Sequence, residues 1–131
     1  MPTIKDLIGI PFVDSGRDLR TGVDCWGLFV EVMKRYGKNI PDYKVMAFDT
    51  CKISSAMMSV LHLWDKVDNP EEGIAVSFAI DPEYPKVTQH FGVCIDKYSF
   101  IHTRTKTGST IERLDNPFWS KKITGFWKWR E

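Results

Sequence analysis

The chain has 131 residues with 18 basic and 17 acidic side chains, a net charge of +1, and 43% hydrophobic residues. That length fits one domain spanning 1–131 with a real core and no room for a second. The near-cancelled charge gives no reason to expect a nucleic-acid partner, and no apolar run approaches the ~20 residues of a membrane span. Three widely spaced cysteines form neither a disulfide framework nor a Cys-x-x-Cys zinc pair, so no metal or other cofactor is expected. The start, Met1-Pro2-Thr3-Ile4-Lys5-Asp6, lacks the apolar core of a secretory signal. The expectation is a cytoplasmic protein, or one that leaves the cell without a cleaved signal.

In chain order, residues 3–9 predict a short helix with Ile4, Leu7 and Ile8 on one side. Gly9-Ile10-Pro11-Phe12 breaks it, and Asp14 to Gly22 reads as a loop. Between Asp24 and Gly37, apolar side chains recur at Cys25, Leu28, Phe29, Val32, Met33 and Tyr36, the spacing of one helix face. Asp24 is a good N-cap and Gly37 a good C-cap residue. Cys25 then lies in the first turn, where unpaired N–H groups and the helix dipole favour a thiolate. A lone cysteine on such a stripe is also the ordinary place of a small buried hydrophobe. Trp26 reads as core by the same pattern.

A second helix is expected over about Ile53 to Lys66, with Trp64 on its inner face, His62 off the stripe, and a structural Cys51 before it. The second half changes period. Strands are expected at 73–80, 88–95, 98–104, 109–114 and 123–129, separated by turn residues such as Asp96-Lys97, Thr107-Gly108 and Asn116-Pro117. Helices followed by consecutive strands give an α+β fold, an antiparallel β-sheet packed on the main helix.

His90 and His102 stand twelve residues apart about Asp96. A hairpin folded about that midpoint makes them cross-strand neighbours on a face shared with Gly92, Cys94, Tyr98 and Phe100. A two-residue turn at Asp96-Lys97 puts them on opposite faces, so a joint site needs an odd-length loop or a bulge. Gly92 leaves space above the sheet for a helix N-terminus. Cys25 as nucleophile, His90 as base and acid, and His102 as orienter would complete an activated thiol. The same three residues could also bind zinc, or the histidines could be ordinary hydrogen-bonded strand residues.

Three segments carry a family resemblance: Asp24-Cys25-Trp26-Gly27 followed by Leu28-Phe29-Val30, His90-Phe91-Gly92-Val93-Cys94-Ile95, and Phe100-Ile101-His102. With these the chain resembles the NlpC-type papain-like cysteine peptidases. Gly9-Ile10-Pro11-Phe12, Pro41-Asp42-Tyr43, Ile111-Glu112-Arg113-Leu114, Phe118-Trp119 and Ile123-Thr124-Gly125-Phe126 are similar to the phage tail-assembly branch of that family. The resemblance implies a papain-like fold and hydrolysis of D-glutamyl-type peptide bonds in peptidoglycan stem peptides. It implies Cys25, His90 and His102 as catalytic residues, with the Cys25 N–H in the oxyanion hole. Asp24, Trp26 and Phe12 are then the candidate substrate contacts; Trp26 stands where the wall-remodelling branch has Ser, and Phe12 where it often has Tyr. Phage tail proteins become candidate partners, and a virion tail a candidate location. A non-catalytic tail-assembly component and a papain-like acyltransferase or amidase are the competing readings.

Overall fold

The computed structural model describes residues 3–40, 64–81, 83 and 90–130. After a 3₁₀ turn at Lys5–Leu7, two short strands, β1 (Arg17–Asp18) and β2 (Gly22–Val23), pair antiparallel and lead into helix α1 (Cys25–Arg35). The segment expected to be a plain loop is therefore a small ribbon. Asp24 caps α1: its Oδ1 accepts from the Gly27 N–H at 2.8 Å. At the far end the Gly37 N–H donates to the Lys34 carbonyl and the Lys38 N–H to that of Met33, both at 2.9 Å. This pair of bonds is the Schellman ending that Gly37 predicted.

Six strands form one antiparallel sheet: β3 (Trp64–Val67), β4 (Ala75–Phe78), β5 (His90–Cys94), β6 (Ser99–Arg104), β7 (Gly108–Arg113) and β8 (Ile123–Trp129), in the order β3-β8-β4-β5-β6-β7. A one-turn helix α2 (Pro117–Ser120), capped by Asn116, joins β7 to β8. The α+β architecture is as expected, with one local correction. Trp64–Lys66, assigned from sequence to the end of a helix, is strand, because Trp64 pairs with Trp129 and their rings meet edge to face at 4.8 Å. The rest of that expected helix, with Cys51, His62 and Pro41-Asp42-Tyr43, lies outside the described residues.

Alternation of side chains divides the core into two layers. On one face, Leu28, Phe29, Val32 and Met33 of α1 pack with Trp26 on Ala75, Phe91, Val93 and Ile101. On the other, Val76, Phe78, Cys94, Phe100 and Leu114 gather around Trp119 of α2. Odd-numbered positions of β5 and β6 thus meet the helix. His90 and His102 share the even-numbered parity of Cys94 and Phe100.

Candidate active site

The β5–β6 hairpin turns about Lys97, with Val93 opposite Ile101 and Cys94 opposite Phe100. Its centre is one residue later than the Asp96 midpoint, and Asp96 instead accepts from the Tyr98 and Ser99 N–H groups in the turn. The connection has odd length, so both histidines emerge on one face. His90 Nε2 lies 2.7 Å from His102 Nδ1, and both rings are buried. Gly92 makes room for the neighbouring strand itself: a Cβ there would stand 2.8 Å from Phe100 Cδ2 and 3.4 Å from His102 Cβ. That space was expected to admit a helix terminus, but the helix packs on the opposite face.

Beyond His102 stands Glu112 of β7, whose Oε2 is 2.5 Å from His102 Nε2. A carboxylate only accepts, so His102 carries its proton on Nε2 and presents the lone pair of Nδ1 to His90. His90 must then donate from Nε2, which leaves its Nδ1 as the free basic nitrogen. A run of three side chains thereby fixes which atom of His90 can take a proton. Trp119 encloses the run, edge-on to His102 at 4.7 Å and stacked on His90 at 5.9 Å. Burial lowers the pKa of both imidazoles; for His90 the charges of His102 and Arg104 lower it further, and for His102 the Glu112 hydrogen bond opposes the fall.

Cys25 opens α1, as expected. Its neighbour Trp26 contacts Phe91, the neighbour of His90, with ring centroids 5.4 Å apart. The thiol and the imidazole therefore flank one packing contact at the same end of the sheet. Burial and the Asp24 carboxylate push the Cys25 pKa up to about 12, against the N–H groups of Trp26 and Cys25 and the charge of Arg17. The helix-terminus effect is present, but desolvation outweighs it. The charges acting on Cys25 are Asp24 and Arg17, whereas those acting on His90 are His102 and Arg104. Among the described residues, no hydrogen bond joins the thiol to His90. Hydrogen bonds of this kind commonly tighten only when substrate is bound.

The three expected substrate contacts have other work in this structure. Asp24 is 1% exposed, and its oxygens take the Gly27 N–H, the Ser15 N–H at 3.1 Å and Arg17 Nη1 at 2.7 Å. Gly27 permits that arrangement, since a Cβ there would lie 2.6 Å from the Gly16 carbonyl oxygen. Trp26 is 2% exposed and packs on Phe29 and Phe91. Half-buried Phe12 forms a parallel bridge to Val23, two residues before the thiol.

The N-terminal segment ties these parts together. The Ile10 N–H donates to Ser109 Oγ at 2.7 Å, and the Val23 N–H to the Pro11 carbonyl at 3.0 Å. The start of β7 and the approach to Cys25 are thus bound to one strap. Glu112 and Trp119 were not singled out as site residues from sequence, although both lie in segments that carry the resemblance. Locating Glu112 beside His102 requires the β6–β7 register, in which His102 faces Thr110 and Phe100 faces Glu112. Among the described residues, no cluster of three or more His, Cys, Asp and Glu side chains is placed to hold a metal ion.

The sequence model of the NlpC/P60 family matches residues 9–128. The chain belongs to the NlpC/P60 family. Members of this family are generally cell-wall peptidases, and the three segments first noted in the sequence all fall within the match. Two solved structures have similar folds. An NlpC/P60 family protein from Bacillus cereus superposes with a TM-score of 0.71 at 20% identity, covering 99% of this chain and 41% of its own. A protein similar to a lipoprotein, of the NLP/P60 family from Staphylococcus aureus, gives 0.69 at 16% identity, covering 95% and 38%. The chain thus spans about two fifths of the length of each. None of the curated proteins matches the sequence.

Proposed function

We propose that this NlpC/P60 chain is a cysteine hydrolase that cleaves D-glutamyl-type peptide bonds in bacterial cell-wall stem peptides. The observation that carries the reading is the hydrogen-bonded run from Glu112 through His102 to His90, which leaves a basic Nδ1 at the end of the sheet where α1 begins. In this reading the Cys25 thiol passes its proton to His90 Nδ1 as its sulfur attacks the substrate carbonyl. The N–H of Cys25 supports the oxyanion. His90 returns the proton to the leaving amine, and water, deprotonated by the same nitrogen, hydrolyses the thioester.

Substrate binding excludes water from the site, which strengthens the ion pair that forms between sulfur and imidazole. Glu112 and Trp119, which lie in the segments Ile111–Leu114 and Phe118-Trp119 similar to the tail-assembly branch, touch the histidine run, which supports a tail-associated role with phage tail proteins as partners. Work inside the host cell before assembly into a virion tail is the location that goes with it.

The test is digestion of purified peptidoglycan fragments with mass analysis of the products. The intact protein should release new amino termini at D-glutamyl bonds, and Cys25→Ala should release none. Equal cleavage by Cys25→Ala would end the mechanism, and transfer to an added amine in place of hydrolysis would make the protein an acyltransferase. A second reading, a binding component that retains the fold without catalysis, is favoured by the buried Cys25 with its pKa pushed up to about 12. It predicts stem-peptide binding with no turnover.

A further inference from the structure

The sequence holds six arginines. Five are matched with carboxylates: Arg17 with Asp24, Arg20 with Asp18, Arg35 with Asp6 and Glu31, Arg113 with Asp115, and Arg130 with Asp65. Arg104, the last residue of β6, has no carboxylate partner among the described residues. It is half-buried, and its guanidinium carbon stands 5.3 Å from the Trp119 ring centre and 5.8 Å from that of Phe118. Trp119 is the same ring that encloses His90 and His102. Phe118 is 50% exposed, with Lys122 Nζ 4.2 Å from its ring centre. Arg104 also lines a cavity of about 360 Å³ with Thr105, Lys106 and Thr107. A cation with no carboxylate partner among the described residues is thus held on an aromatic shelf between a cavity and the imidazole pair.

That placement opposes the chemistry while the site is empty. A positive charge beside His90 and His102 makes their protonation harder, and both feel Arg104 in that direction. Glu112 opposes it at His102 alone. An anion on the guanidinium would cancel the opposition as it bound, and a planar fork of donors fits a carboxylate in two-point fashion.

We propose that Arg104, flanked by Lys106 and Lys122, is the subsite for a free carboxylate of an acidic peptide substrate. This rests on the stem-peptide reading for the identity of the peptide. In that class the bound group is the α-carboxylate left free on a γ-linked D-glutamyl residue.

Two measurements test it. The imidazole resonances of His90 and His102 are titrated with and without N-acetyl-glutamate as the probe. Saturating probe should raise their midpoints in the unaltered protein; Arg104→Gln should start higher and not respond. No response in the unaltered protein, or an equal response in Arg104→Gln, overturns the subsite. Binding to Cys25→Ala is then compared for a γ-D-glutamyl stem tripeptide and its α-amide. The acid should bind at least tenfold more tightly, and Arg104→Gln should reduce the acid to the level of the amide. Equal binding of acid and amide to Cys25→Ala also overturns it. A midpoint shift with N-acetyl-glutamate in a protein that cleaves no stem peptide would retain the subsite and reject the proposed hydrolase.

Discussion

The two sides of the candidate site are prepared to different degrees. On the sheet side, Glu112, His102 and His90 are joined by bonds of 2.5 and 2.7 Å, and the buried aromatic ring of Trp119 closes over them. On the helix side, Cys25 is placed by a capped and salt-bridged turn, yet burial and Asp24 keep it a neutral thiol. A hydrogen-bonded run of neutral groups is stable inside a protein. A thiolate without its counter-ion is not, because removal from water costs more than a helix terminus returns. The resting protein thus carries the base fully oriented and the nucleophile uncharged, and the ion pair is left to form with the substrate.

The largest expected effect breaks the sheet side. His90→Gln should lower hydrolysis by about 10²–10⁴-fold, the usual contribution of a positioned acid–base group. Steady-state cleavage of stem peptide checks this, and a variant within twofold of the parent would remove His90 from the mechanism. On the helix side, a pKa near 12 means that iodoacetamide labelling of Cys25 in the free protein should speed up about tenfold per pH unit from pH 7 to 10. A rate that levels off below pH 7 would reveal a thiolate–imidazolium pair already formed before substrate binds.

Stability follows from the sheet side in a defined direction. Both imidazoles lie below their ordinary value of 6.5, so the unfolded chain binds protons that the folded chain refuses. Their contribution is complete above about pH 6.5 and is lost as the pH falls below it, by up to about 1.4 kcal/mol per pH unit for each histidine. Urea midpoints at pH 7.5, 6.0 and 5.0 should therefore decline, less steeply in His90→Gln. A flat series would place the imidazoles in water.

The smallest effect is expected at Glu112. Its removal in Glu112→Ala frees His102 to turn over its tautomer, lowering turnover by about tenfold. The acid limb of the pH–rate profile should move to lower pH, since the imidazoles must be neutral to act as base and the hydrogen bond from His102 to Glu112 raises the His102 pKa. Glu112→Gln keeps an acceptor oxygen and should recover part of the rate. An unchanged profile in Glu112→Ala would reduce Glu112 to packing.

Several of these features could be read along the chain. The stripe from Cys25 to Met33, the capping residues Asp24 and Gly37 and the alternation of β5 to β8 are local patterns, each fixed by neighbours within a few residues. The resemblance likewise rests on short ordered segments, and the family match spans them. Trp64 misled because an apolar residue at helical spacing says that a position is buried, not which element buries it. Its partner, Trp129, is 65 residues away.

What distance in the chain concealed, the fold decided. The sequence by itself determined the family, the α+β class and the residue types brought to one end of the sheet, because helix and strand periods are local. Only the tertiary structure decided that the hairpin turns about Lys97, that Glu112 reaches His102, and that α1 lies behind the histidines' face. It also decided that Trp26 and Asp24 are buried and that Arg104 is left without a carboxylate among the described residues. Register, burial and charge pairing depend on segments far apart in the chain, and desolvation, which sets the state of Cys25, has no value until those segments have packed.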